Sequence, residues 1–114
     1  MHSASLGPAV KTALDAYARA LRDRFGARVS EMVLFGSHAR GTAHEDSDVD
    51  VLVAIDLLTD AERAEAIDLA YWVDNRALDW VGLSPLVYST QQVAQLRHGG
   101  RRLLRDIDDE GVRL

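Results

Sequence analysis

Two apolar runs, joined through a glycine-bounded turn and with paired acids opening the second run, constrain this chain most tightly. Leu34-Phe35-Gly36-Ser37-His38-Ala39-Arg40-Gly41 is followed, after a short polar stretch, by Asp46-Ser47-Asp48-Val49-Asp50-Val51-Leu52-Val53. In a strand, residues i and i+2 share a face. Asp48 and Asp50 are therefore expected on one face, with Val49, Val51, Val53 and Ile55 on the other. Two carboxylates side by side repel unless something positive lies between them, and a divalent cation answers that need. Gly36 and Gly41 permit a tight turn and a close approach of backbone to ligand. Ser37 offers a hydroxyl and backbone N–H groups to phosphate oxygens, and Arg40 a cationic fork. A phosphate grip beside a metal grip points to chemistry on a nucleoside triphosphate.

The remaining chain reads as scaffold around these strands. Pro8 suits the first turn of a helix running to Gly26, with Val10, Leu14, Tyr17, Leu21 and Phe25 as its apolar stripe. Val29–Phe35 is the first strand, buried and central, and Asp48–Ile55 the second. Thr42–Ser47 is a surface loop. His44, Glu45 and Asp46 within it are within conceivable reach of a metal, but a solvated Asp/Ser-rich turn explains them better. Thr59 and Glu62 form a capping box for a helix to about Ala77. Ala66, Leu69, Ala70, Val73 and Ala77 give that helix its core face, widened by Ile67 and Tyr71, and Trp72 and Trp80 have two readings, partner contact or core, of which a domain this small favours the core. Val81–Tyr88 is a third strand whose Pro85 demands an edge position or a bulge. Thr90 is expected to cap a short helix, Gln91–Arg97, ended by Gly99-Gly100. A last helix over about Arg101–Asp109 leads to an apolar tail, Val112–Leu114. The expected fold class is α/β (α+β), a small mixed sheet flanked by helices.

A length of 114 residues allows one core and no second, so a single domain over 1–114 is expected, with the motif-bearing core at 29–55 and the C-terminal helices at 90–110. Apolar residues at 47% and charged residues at 27% set it among globular rather than disordered chains. A net charge of −5 argues against a general nucleic-acid binder. With no cysteine, disulfides and thiolate metal sites are excluded. No signal-like or membrane-spanning run is present, so a cytoplasmic protein is expected.

Gly36-Ser37-x-x-Arg40-Gly41 followed by Ser47-Asp48-x-Asp50 at the head of an apolar strand resembles the minimal nucleotidyltransferases of the DNA polymerase β-like superfamily. The resemblance runs from Val29 to Leu114, and small members of that family often act as antitoxins beside helical HEPN-domain toxins. It implies the nucleotidyltransferase fold and transfer of AMP from ATP to a hydroxyl, with a tyrosine of a partner HEPN toxin as acceptor. It also implies a site of two Mg²⁺ ions bridged by Asp48 and Asp50, and Gly36, Ser37, Arg40 and Gly41 on the nucleotide. Arg40 has two readings, a phosphate contact or an anchor to a nearby acid. Active members usually carry a third acid on the neighbouring strand. Here Ser84 stands at that position, with Asp79 and Asp74 just upstream and Asp79 the first substitute. The alternative is a catalytically weak or inactive module of the same fold that neutralises a helical partner by occlusion. Homo-oligomerisation stays open.

Overall fold

The computed structural model describes residues 6–44, 47–77 and 80–114. Glu45, Asp46 and Asp79 lie outside them, so the expectations placed on those acids are not addressed by the structure. Helix α1, Pro8–Phe25, starts with Pro8 in its first turn, where the missing N–H costs nothing. It ends at Gly26, whose positive φ of 59° suits glycine. Strand β1 spans Val29–Phe35, helix α2 Ser37–Arg40, strand β2 Val49–Ile55 and helix α3 Asp60–Arg76. Strand β3, Leu83–Ser89, is followed by helices α4, Thr90–His98, and α5, Arg102–Glu110, and by strand β4, Val112–Arg113.

The strands form one mixed sheet in the order β3-β2-β1-β4. β1 runs antiparallel to β2 and β4, whereas β2 and β3 are parallel. Helices cover both faces. Val49, Val51, Val53 and Ile55 pack with Leu14, Tyr17, Leu21 and Phe25 of α1 and with Ala66, Ala70 and Val73 of α3. Val33, Leu52 and Ala54 point the other way, onto Val93 of α4 and Leu104 and Ile107 of α5. The face that Asp48 and Asp50 are expected to share is not open to solvent along its whole length. It is roofed by α4 and α5 from Leu52 onward, and Asp50 is the one residue of β2 that is not buried. The buried Tyr17 hydroxyl donates to Ala66 O at 2.8 Å, joining α1 to α3 inside the core.

Polar side chains fix the helix starts and the layers. Thr59 Oγ1 accepts from Glu62 N and Glu62 Oε1 from Thr59 N, the expected reciprocal cap. Glu62 also takes two hydrogen bonds from Arg28, at 2.7 and 2.9 Å. Arg97 of α4 grips Glu31 of β1 with both terminal nitrogens and Asp108 of α5 beside it. Those hydrogen bonds, helped by Arg113, hold the Glu31 carboxyl below its ordinary pKa.

Several expectations are corrected. The cap of α4 is Ser89, in a reciprocal box with Gln92, and not Thr90. Thr90 instead donates its hydroxyl to Asp56. Pro85 sits on an edge strand as expected, and needs no bulge, because pairing runs unbroken from Val49–Leu83 to Ile55–Ser89. The apolar tail is a fourth strand, with Leu34 opposite Val112 and Val33 opposite Arg113. Trp72 and Trp80 are exposed, not core, as are Ile67 and Tyr71. Small Ala66 and Ala70 already bring α3 close to the sheet, leaving the bulkier neighbours on the outer side. Among the described residues no helix is long and apolar enough to cross a membrane.

Asp74, read from sequence as an acid just upstream of the third-acid position, has a structural task. It is 3% exposed and accepts from Val81 N at 3.3 Å and Leu83 N at 2.7 Å, fixing the approach to β3. Asp74→Ala strands both donors and is expected to cost about 2–3 kcal/mol. Urea unfolding measures this; an unchanged midpoint would show that the carboxylate is dispensable.

Candidate active site

The ends of β1 and β2 bring the two sequence blocks together. Phe35, the last residue of β1, pairs with Asp50. The chain then turns at Gly36, with φ 77°, into the single helical turn of α2, which closes at Gly41, with φ 76°. The glycine-bounded turn is thus helical at its centre, with Arg40 N donating to Gly36 O at 3.1 Å and Thr42 N to Ser37 O at 3.0 Å. Gly36 lies directly against the Asp50 carboxylate, and a Cβ added there would collide with Asp50 Oδ2. Positive φ and lack of space both demand glycine at this position. The Ser37 hydroxyl has no hydrogen-bond partner among the described residues.

Asp48 precedes β2 and is exposed, while Asp50 is half-buried. Burial first, and the Asp48 charge second, push the Asp50 carboxyl above its ordinary pKa; His38 and Arg40 pull it the other way. His38 drew no attention in the sequence. Its Nε2 lies 3.2 Å from Ser47 O, tying α2 to the residue before Asp48. His44 is exposed and engages the loop through its backbone, with N donating to Ser47 Oγ and O accepting from Ser47 N. Arg40 Nη1 stands 3.6 Å from Glu110 Oε2 at the end of α5, so its anchoring role has a partner, and both groups remain about half exposed. A hollow of about 190 Å³ lies between the turn and α5, with Gly36, Arg40, Asp106 and Glu110 in its wall. A larger groove of about 860 Å³ runs between α1 and α3 and includes none of these residues.

On the other side of β2, Ser84 pairs in parallel register with Asp50, so the two side chains lie on the same face. Gly82 O accepts from Val49 N at 2.9 Å. A Cβ at Gly82, where φ is 77°, would stand 3.3 Å from Asp48 Oδ1. The only sequence signal for this contact was a glycine just ahead of an apolar run. Among the described residues no group of three or more metal-ligating side chains forms. The arrangement offers two carboxylates to a hard cation and, to an anion, the Ser37 hydroxyl and a guanidinium shared with Glu110, on either side of one glycine contact.

In the metal-free protein the raised Asp50 pKa sets a pH dependence. Between the ordinary carboxylate pKa and the folded value, the native state holds the extra proton. Stability therefore falls as pH rises through that window, and the deficit is complete above it. Asp48→Asn with Asp50→Asn removes the deficit, with an expected gain of about 2–4 °C in Tm at pH 7. The gain should vanish as pH falls below the ordinary carboxylate range. A large loss of Tm in calorimetry at pH 7 would show the acids to be structural.

A family model described as a nucleotidyltransferase domain matches residues 14–91, more than half of the chain. Protein adenylyltransferase MntA of Thermococcus cleftensis is 52% identical over 44 residues, 39% of this chain and 42% of that protein. A protein of Methanocaldococcus jannaschii, provisionally named a protein adenylyltransferase, is 38% identical over 45 residues, 40% of this chain and 45% of its own length. The chain thus spans less than half the length of these curated relatives. A crystal structure of a provisionally named nucleotidyltransferase from Sulfolobus solfataricus aligns over 98% of this chain and 90% of its own, at 14% identity and a TM-score of 0.47. With the family model spanning α1 to the start of α4 and both sequence blocks inside the match, this chain belongs to the nucleotidyltransferase family.

Proposed function

We propose that the chain binds ATP at the junction of β1 and β2 and transfers AMP to a hydroxyl of a helical protein partner. The carrying observation is the close approach of Gly36 to the Asp50 carboxylate, which supports reading the glycine turn and the acid pair as one site. Ser37, through its hydroxyl and N–H, and the backbone at Gly36 and Gly41 would hold the β- and γ-phosphates. Arg40 would share its charge between the phosphates and Glu110. The acceptor oxygen forms a bond to the α-phosphorus, the bond to the β-phosphate oxygen breaks, and pyrophosphate leaves with the electron pair. The hydroxyl proton passes to solvent or to a carboxylate of the pair.

Asp48 and Asp50 would hold Mg²⁺, and the donor chemistry fits, since a hard cation takes oxygen ligands and offsets the burial and the Asp48 charge that together raise Asp50. Bound there, the ion supplies positive charge to the phosphoryl oxygens and the attacking hydroxyl. The two carboxylates suffice for one ion. A second ion would find Ser84 opposite Asp50 in place of a charge.

Support for a protein acceptor comes from the two relatives named as protein adenylyltransferases, and Ile67 and Trp72 leave apolar surface on α3 for a partner. A HEPN-type helical toxin in the same cytoplasm is the partner class of this reading, with the chain acting as antitoxin. One observation favours a second reading, in which the fold binds nucleotide and occludes the partner with little turnover: Ser84 is neutral where a third carboxylate would complete the site.

The test is transfer of label from α-labelled ATP, with Mg²⁺, to a tyrosine of a HEPN partner. Label is expected on the partner, and Asp48→Asn with Asp50→Asn should abolish it. Absence of both transfer and Mg²⁺-dependent ATP binding would sink the proposal; binding without transfer selects occlusion. Ser84→Asp is expected to raise the transfer rate about ten- to a hundredfold. A fast wild type indifferent to that change would direct attention to Asp79.

A further inference from the structure

We propose that Trp80, braced by Tyr71, forms the subsite for the nucleobase of the bound nucleotide. The inference rests on the nucleotide reading above. Trp80 and Tyr71 are 61% and 62% exposed, a costly display of aromatic surface unless a ligand uses it. Their rings meet edge-on, with centroids 6.1 Å apart and planes at 80°, so the contact steadies the indole without covering it. Trp72, the other tryptophan, has the Arg76 guanidinium 4.2 Å over its ring. Among the described residues no cation covers Trp80 in that way.

Trp80 also stands close to the acids. The position a Cβ would take at Gly82 lies 3.8 Å from the Trp80 indole nitrogen and 3.3 Å from Asp48 Oδ1. The segment between them is firmly held. Val81 N and Leu83 N donate to the buried Asp74 carboxylate, and Gly82 O accepts from Val49 N. Trp80 is thus presented from a pinned backbone beside the start of β2.

The direction of the nucleotide gives this surface its occupant. β1, β2 and β3 lie side by side in that order. A triphosphate gripped at Ser37, after β1, and at Asp48 and Asp50, at the start of β2, carries its nucleoside onward to the start of β3, where Trp80 leads in. An indole face stacks on any base, so the subsite selects for a flat ring rather than for one base's hydrogen-bonding edge. An aromatic ring of the acceptor could supply the same chemistry, and the experiment separates the two sources.

Binding of Mg²⁺–ATP, tripolyphosphate and N-acetyltyrosinamide is compared for the wild-type chain, Trp80→Ala and Trp80→Phe. Trp80→Ala should raise Kd for ATP about tenfold and leave tripolyphosphate within about twofold, while Trp80→Phe recovers most of the loss. Unchanged ATP affinity in Trp80→Ala overturns the subsite, and does so in favour of the acceptor if N-acetyltyrosinamide binding alone falls. Equal loss of ATP and tripolyphosphate overturns it too, because Trp80 then acts on the site through the fold. A wild-type chain that binds neither phosphate ligand with Mg²⁺ refutes the nucleotide reading itself, which keeps the two failures distinct.

Discussion

Gly36 takes a positive φ that favours glycine with the Asp50 carboxylate close against it, and most of the molecule serves to keep those two together. β1 and β2 must pair in the register that puts Phe35 opposite Asp50. A slip of one residue would turn Asp50 into the core between α1 and α3 and Val51 out of it. The valines of β2 oppose that slip, since each has a buried place on the α1/α3 side. Leu52 and Ala54 oppose it from the other side, where α4 and α5 close over them. Hydrophobic packing thus sets the position of a carboxylate, and its partial burial there, with the Asp48 charge, raises its pKa. The charge is tolerable because the roof stops short of the strand's first turn.

The strands and helices that position this contact were legible because their signals are local. Glycines at 36 and 41 flank a turn, Thr59 and Glu62 cap a helix, and β1 came out at the same bounds in sequence and structure. The spacing of Asp48 and Asp50 gave their shared direction, though not what covers it. Whether an i, i+2 face meets water or helices depends on α4 and α5, which lie 40 or more residues further on.

Other features depend on contacts that no window of sequence contains. Alanines 66 and 70 decide which side of α3 meets the sheet, and this sends Ile67, Tyr71 and Trp72 outward although residue type alone favours burial. The structural task of Asp74 was not legible because its partners are backbone N–H groups of Val81 and Leu83, invisible in residue identities. Thr90 has a cap's residue type, but the reciprocal box joins Ser89 to Gln92 one position earlier. Val112 and Arg113 are too few to read as a strand; they become one because the outer edge of β1 is there to receive them.

That late pairing bears on how the protein is made. The outer edge of β1 exposes ladder groups next to a run of Met32, Val33, Leu34 and Phe35, and stays open until residues 112–113 arrive. Glu31 likewise waits for Arg97 and Arg113, 66 and 82 positions downstream. During synthesis the site-forming half of the sheet can assemble while this edge is still a template for another chain. Closing it requires a long loop, whose entropy makes that step slow relative to the β1–β2 pairing. Glu31 gives a partial guard, since a charge on an unpaired edge disfavours addition of a second strand. The same carboxylate that fastens the finished sheet thus protects the unfinished one.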